Sequence, residues 1–160
     1  MTEHLQLIER QLVHLARMRE YLQYSYERVQ PIVADPDWSS LTPEQHEALA
    51  AYRLRFSEFQ EHLGKVMRAV SIEEEVDVDR FGSVLAFMEK LQVLDSSEHW
   101  KLIRELRNAV NHEYGDDTAK LAVSFSALVS ETPALLGYFE RITAFCGNAY
   151  GIAKDADDKG

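Results

Sequence analysis

The chain is poor in the residues that mark several whole classes of protein. It has one cysteine, Cys146, which excludes an internal disulfide and any cysteine-based zinc cluster. Seven glycines and four prolines in 160 residues leave little turn material, and the abundance of Leu, Ala, Glu and Arg favours helix. Basic charge is scarce as well. With 17 Lys and Arg against 27 Asp and Glu the net charge is −10, which argues against broad nucleic-acid binding through a basic surface. No apolar run approaches the ~18 residues of a membrane span. The polar start Met1-Thr2-Glu3-His4 lacks the cationic-then-apolar order of a signal peptide, so the expected setting is cytoplasmic and away from membranes.

Metal-binding motifs are missing too. Di-metal carboxylate bundles use Glu-x-x-His pairs on facing helices. The positions three before His14, His46, His62, His99 and His112 hold Gln11, Pro43, Phe59, Ser96 and Ala109, and Met1 precedes His4. The zinc-protease pattern H-E-x-x-H fails at Ala50 and at Asp116. Neither a metal nor a cofactor is expected.

What remains is helical periodicity. Leu5, Ile8, Leu12, Leu15, Met18 or Arg19, Leu22 and Val29 recur at three- and four-residue steps, predicting a first helix over about 2–30 that Pro31 stops or kinks. Tyr21, Tyr24 and Tyr26 cluster late in it and read as core or interface packing in preference to an RNA-stacking platform. Thr42, Pro43 and Gln45 form a capping-box start for a second helix to about Val70, with Leu49, Tyr52, Phe56, Phe59, Leu63, Val66 and Val70 inward. The acidic run from Ser71 to Asp79 reads as a solvated loop or helix end. Shorter helices are expected over about 80–91, from Ser96 or Ser97 to 113, 118–130 and, starting at Thr132-Pro133, to about Tyr150. The fold class is therefore all-α: an antiparallel bundle with two long N-terminal helices and several shorter ones, one domain over 1–152, and a flexible acidic tail over 153–160. Cys146, among Ile142, Phe145 and Ala149, reads as a buried structural thiol.

Chemistry-bearing residues concentrate in Arg107-Asn108-Ala109-Val110-Asn111-His112-Glu113-Tyr114, ahead of Gly115-Asp116-Asp117. On a helical wheel Leu102, Ile103, Leu106, Ala109 and Val110 form an apolar arc, and Arg104, Arg107, Asn108 and Asn111 an adjoining polar one. Arg107 and Asn111 are one turn apart and can converge. His112 is rotated roughly 140° from Arg107, so the two do not face each other squarely within one straight helix. Metal-free RNA cleavage needs a base for the 2′-hydroxyl and a cation for the charge growing on the phosphate; histidine and arginine suit these roles. A two-fold dimer apposing two such helices would supply two of each across one cleft. The opposing reading is a plain helix C-terminus with a histidine favourable to the helix dipole.

Arg107 and His112 with four residues between them, followed by Tyr114, resemble the R-x4-H-x-Y signature of HEPN-domain toxins of the HepT type; Asn108 matches the polar residue usual after the arginine, and the late-helix position in an all-α domain fits. The signature covers eight residues and the layout roughly 1–150. The resemblance implies a homodimeric, metal-independent ribonuclease of a HEPN/MNT toxin–antitoxin pair. Arg107 would stabilise phosphate, His112 would act in acid–base catalysis, and Asn108 would orient or assist. Tyr114 would accept AMP from an MNT-type nucleotidyltransferase antitoxin. Arg104 and Asn111 stand as supporting residues. The alternative is a non-catalytic HEPN module that binds such a partner. One feature runs against RNA binding: Glu98, Glu105 and Glu113 balance Lys101, Arg104 and Arg107. The fold would have to segregate the arginines from the acids; Arg17, Arg19, Arg53, Arg55 and Arg68 could join them from the long helices, with solvated faces the preferred reading for these five. The acidic remainder would favour a structured substrate such as tRNA.

Overall fold

Apolar stripes at helical spacing, few breakers and well-defined caps leave the chain one way to bury its hydrophobic surface, helix against helix. The computed structural model describes residues 1–112 and 117–152. Its helices are α1 (Glu3–Ala34), α2 (Pro43–Glu73), α3 (Phe81–Lys90), α4 (Ser97–His112) and α5 (Thr118–Tyr150), with no strand among the described residues. The all-α bundle is as expected. Tyr114 and the tail 153–160 lie outside the described residues.

Side-chain contacts give the helix directions. His4 reaches the Ala69 carbonyl, His14 faces His62, and Arg55 bonds Ser25, so α1 and α2 run antiparallel over their full length. Tyr52 pairs with Thr132 and Phe59 with Phe139, which makes α5 parallel to α2. Asn111 meets Ser57 while Trp100 lies by Gly64, which makes α4 antiparallel to α2. Thus α2 is the central helix. Its predicted inward residues Leu49, Tyr52, Phe56, Phe59, Leu63, Val66 and Val70 are all buried. Each large apolar side chain buried in this way stabilises the fold by about 1.5–3 kcal/mol.

Local signals account for the ends. Thr42 accepts from the Gln45 amide at 3.2 Å while Gln45 accepts from the Thr42 amide at 2.8 Å, completing the capping box. Ser96 caps α4 through the His99 amide at 3.0 Å, and Asp117 caps α5 through the Lys120 amide at 3.0 Å. Gly151, at φ 67°, closes α5 with the amides of Gly151 and Ile152 returning to Gly147 and Cys146. Cys146 is fully buried, and burial pushes its thiol up to about 12, as expected of a structural residue.

Two prolines depart from expectation. Pro31, expected to stop or kink the first helix, does not stop it, and Pro133 sits inside α5, so the two predicted C-terminal helices are one of 33 residues. Both rings lie on exposed faces, where the carbonyl left without its amide partner can be hydrated. Thr132, predicted to start a helix, is buried instead. Its hydroxyl donates back to the Leu128 carbonyl at 3.1 Å and accepts the Tyr52 hydroxyl at 2.6 Å. Among the described residues the bundle therefore has three long helices and two short ones. As one helix, α5 is long and apolar enough by length and composition to cross a membrane, with a stretch of mean hydropathy 1.2, which corrects the expectation that no such run exists. In the bundle its Phe125, Leu128, Leu135, Phe139 and Ile142 face the core.

Other departures concern faces. Tyr21 and Tyr24 are 60% and 57% exposed, so they do not pack in the core; only Tyr26 is partly buried against it. Leu102 lies outward, and Trp100 takes the expected place on the inner face of α4. Ser71, read as the start of a solvated loop or helix end, lies in the last turns of α2 but is buried, its hydroxyl donating to the Met67 carbonyl.

Residues Glu75 and Gln92 end α2 and α3 in the left-handed region, at φ 61° and 63°, without being glycine. An L side chain there costs roughly 1–2 kcal/mol. Gln92→Gly is expected to raise stability by about 0.5–1 kcal/mol, the gain being reduced by the looser unfolded chain. Urea unfolding checks this; an unchanged or lower midpoint would contradict the strain.

Candidate functional site

The site is built where α4 crosses the central helix. Trp100, Ile103 and Val110 are buried and fix which side of α4 faces inward. Near its start His99 engages both ring nitrogens: Nδ1 with the Tyr138 hydroxyl and Nε2 with Glu131 Oε2 at 2.7 Å. A ring protonated at Nε2 donates to the carboxylate and accepts the phenol proton at Nδ1. Burial of Tyr138 is the main reason its hydroxyl titrates near 12, which keeps it a donor at neutral pH. Arg141 adds a second tie to this corner, bonding Asp95 at 2.8 Å while its guanidinium lies over the Tyr138 ring. At the other end Asn111 Nδ2 donates to Ser57 Oγ of α2 at 3.0 Å. None of these ties was foreseen in the sequence, because each joins residues at least 32 positions apart.

With α4 held, its polar residues divide into two groups. Arg104, Asn108 and His112 follow one another at four-residue steps along the exposed face. Arg107 and Asn111 turn toward α2 and are partly buried. Asn108 joins the groups, its Oδ1 accepting from Arg107 Nη2 at 3.0 Å and Nε at 3.3 Å. The expected convergence of Arg107 with Asn111 is replaced by these separate partners. His112 is exposed and does not line the cleft that holds Arg107. One chain thus keeps the arginine and the histidine apart, as their rotation on the helix requires.

Between α2, α3 and α4 lies a cleft of about 230 Å³. Gln60, Gly64 and Trp100, all buried, form its floor, and the partly buried Phe81 supplies a side wall. Lys65, Arg68, Arg104 and Arg107 stand around it with one carboxylate, Glu61. A Cβ on Gly64 would come within 3.5 Å of Phe81 and 3.6 Å of Trp100, so the glycine leaves this space open. Partial burial is the main cause that lowers the Arg107 pKa; Glu61 opposes the shift and Arg104 adds to it. The guanidinium stays charged at any physiological pH.

Folding therefore separates charges that balance in the sequence. Glu98 pairs with Lys101 at 3.5 Å at the start of α4, and Glu105 is exposed and does not line the cleft. Of the arginines proposed to join from the long helices only Arg68 lines the cleft. Arg19 pairs with Glu140 at 3.1 Å, and Arg55 lies over the Tyr21 ring and bonds Ser25. Lys65, Gln60 and Phe81 were missed by sequence reasoning. The one available signal was the spacing of Glu61, Lys65 and Arg68 along a single face of α2.

If His99 holds α4 in place through Tyr138, removing the phenol hydroxyl leaves Nδ1 without its hydrogen-bond partner. Tyr138→Phe is expected to cost about 1–3 kcal/mol in chemical unfolding; a loss below the error of the measurement would show the contact to be dispensable.

Comparison of the chain with protein-family models, with curated proteins and with solved structures finds no match.

Proposed function

We propose that the chain is a metal-independent endoribonuclease of the HEPN toxin type whose complete site forms between two copies. The observation that carries this reading is the segregation of charge: a chain of net charge −10 assembles Lys65, Arg68, Arg104 and Arg107 around one cleft at the R-x4-H motif. This meets the main objection to RNA binding. A local cluster of cations attracts a phosphate chain at short range while the acidic remainder limits indiscriminate binding.

The geometry supports a division of roles. Arg107, braced by Asn108 and held against α2, is placed to stabilise a phosphorane-like charge. His112 faces solvent on the outer side of α4, in line with Asn108 and Arg104, where a second chain can reach it. A two-fold axis beside this face would bring the histidine of one protomer to the arginine cleft of its partner. The histidine then takes the 2′-hydroxyl proton as that oxygen bonds to phosphorus, the P–O5′ bond breaks with the 5′-oxygen taking a proton from water, and the arginine neutralises the charge on the non-bridging phosphate oxygens. The exposed Leu102 adds apolar surface to the same helix. Silencing by AMP transfer to Tyr114 from a nucleotidyltransferase partner belongs to the same proposal. An added phosphate just past His112 would repel the RNA backbone.

The purified chain should cleave RNA in EDTA, and Arg107→Ala and His112→Ala should each lower cleavage by at least ~100-fold, the lower end of general acid–base and electrostatic contributions. Circular dichroism should show both variants folded. Two folded variants that cut like the wild type would sink the assignment. A strict monomer in light scattering that still cuts RNA would sink the shared cleft.

A further inference from the structure

The α1–α2 hairpin carries a pair of histidines that the proposed chemistry does not use. His14 of α1 and His62 of α2 meet across the seam, with ring centroids 5.2 Å apart and planes crossed at 73°. Their backbones are fixed from below, because the neighbouring Leu15 and Leu63 are fully buried. The register is pinned on both sides of the pair, by His4 on the Ala69 carbonyl and by Arg55 on Ser25. His14 is exposed and His62 partly buried, so solvent reaches both. His4 and His99 bond protein partners through their ring nitrogens, whereas His14 and His62 make no hydrogen bond among the described residues.

The spacing suits a shared ion. An imidazole nitrogen sits about 2.0–2.1 Å from a bound zinc, which puts two rings on one tetrahedral ion about 5 Å apart, centre to centre. The charge around the pair favours a cation as well, since Glu58, Glu61 and Lys65 all act on His62, two carboxylates against one ammonium. Glu58 stands one turn before His62 and lines the next hollow along the seam with Met18 and Tyr21, where it can accept hydrogen bonds from water on the ion. Among the described residues no three His, Cys, Asp or Glu form a closed metal cage, so water would complete the shell.

We propose that His14 and His62 form a solvent-facing two-histidine site for a single late first-row divalent cation, Cu²⁺, Ni²⁺ or Zn²⁺, that bridges α1 and α2. Imidazole nitrogens suit these ions, while Mg²⁺ and Ca²⁺ require oxygen ligands. Both ligands come together only in the folded hairpin, so the ion stabilises it by mass action. Patterns such as H-E-x-x-H place both histidines on one helix; here each helix supplies one, which is why no linear motif announces the site. The inference does not rest on the ribonuclease reading, because neither histidine lines the cleft that holds Arg107.

The test is calorimetry on the untagged full chain, stripped of metal with EDTA and dialysed, with CuCl₂, NiCl₂, ZnCl₂ and MgCl₂ as probes. One ion should bind per chain, copper most tightly and magnesium not measurably. The bound ion should raise the melting temperature, and EDTA should reverse the rise. His14→Ala, at an exposed position, should stay folded by circular dichroism and weaken binding by at least ~10-fold, no less than the loss of an outer-shell partner costs. His62→Ala should do the same, and His46→Ala, at an exposed position outside the pair, should leave binding unchanged. The site is overturned if no ion binds, if magnesium binds as tightly as zinc, or if folded His14→Ala keeps the wild-type affinity. Half an ion per chain would also overturn it, by placing the ion between two chains. RNA cleavage is assayed in EDTA, so neither result decides the other.

Discussion

The antiparallel seating of α4 on α2 is the contact on which the chemistry of this chain depends. Trp100, Ile103 and Val110 bury one face of α4, and Asn111 is tied to Ser57. His99 holds the other end against α5 through Tyr138 and Glu131. Each tie uses a polar group that would be costly to leave unpaired, so rotation of α4 about its axis would break several contacts at once. Such a rotation would swing Arg107 out of the cleft, yet it would leave the roughly 140° between Arg107 and His112 unchanged, because both ride on the same helix.

The same seating resolves a problem of charge. Counted from Glu98 to Tyr114 the acids and bases cancel, yet Glu98 is absorbed by Lys101 at the start of α4 and Glu105 is left exposed outside the cleft. The arginines instead meet Lys65 and Arg68 of α2. Partial desolvation of Arg107 has an energetic cost, visible as a lowered pKa, and Glu61 offsets part of it. A cation held this way makes strong bonds to an anion, because water competes poorly for it.

Much of the fold was legible in the residues. The capping box at Thr42, the inward face of α2, the α1–α2 hairpin and the buried Cys146 follow from short-range signals and periodicity. The prolines misled because their effect depends on which side of a helix they occupy. Pro31 and Pro133 both face solvent, which a linear pattern of breakers does not reveal. That Tyr21 and Tyr24 stay out of the core was not readable for a related reason, as aromatic character says nothing of which side a helix turns to its neighbour. In the site, the motif gave Arg107, Asn108 and His112, and the rotation between them was readable from residue spacing. Gln60, Lys65 and Phe81 were not, since they approach α4 only through tertiary packing and sit in otherwise ordinary helical sequence.

If each chain is half of a site, arginine and histidine act in trans. The most direct test mixes two disabled chains. Arg107→Ala and His112→Ala proteins are carried on different affinity tags, and the mixed dimer is isolated through both. The mixed dimer retains one intact arginine facing one intact histidine, and a shared cleft predicts that it cuts RNA while either variant alone does not. A mixed dimer as inactive as its parents would contradict the trans arrangement.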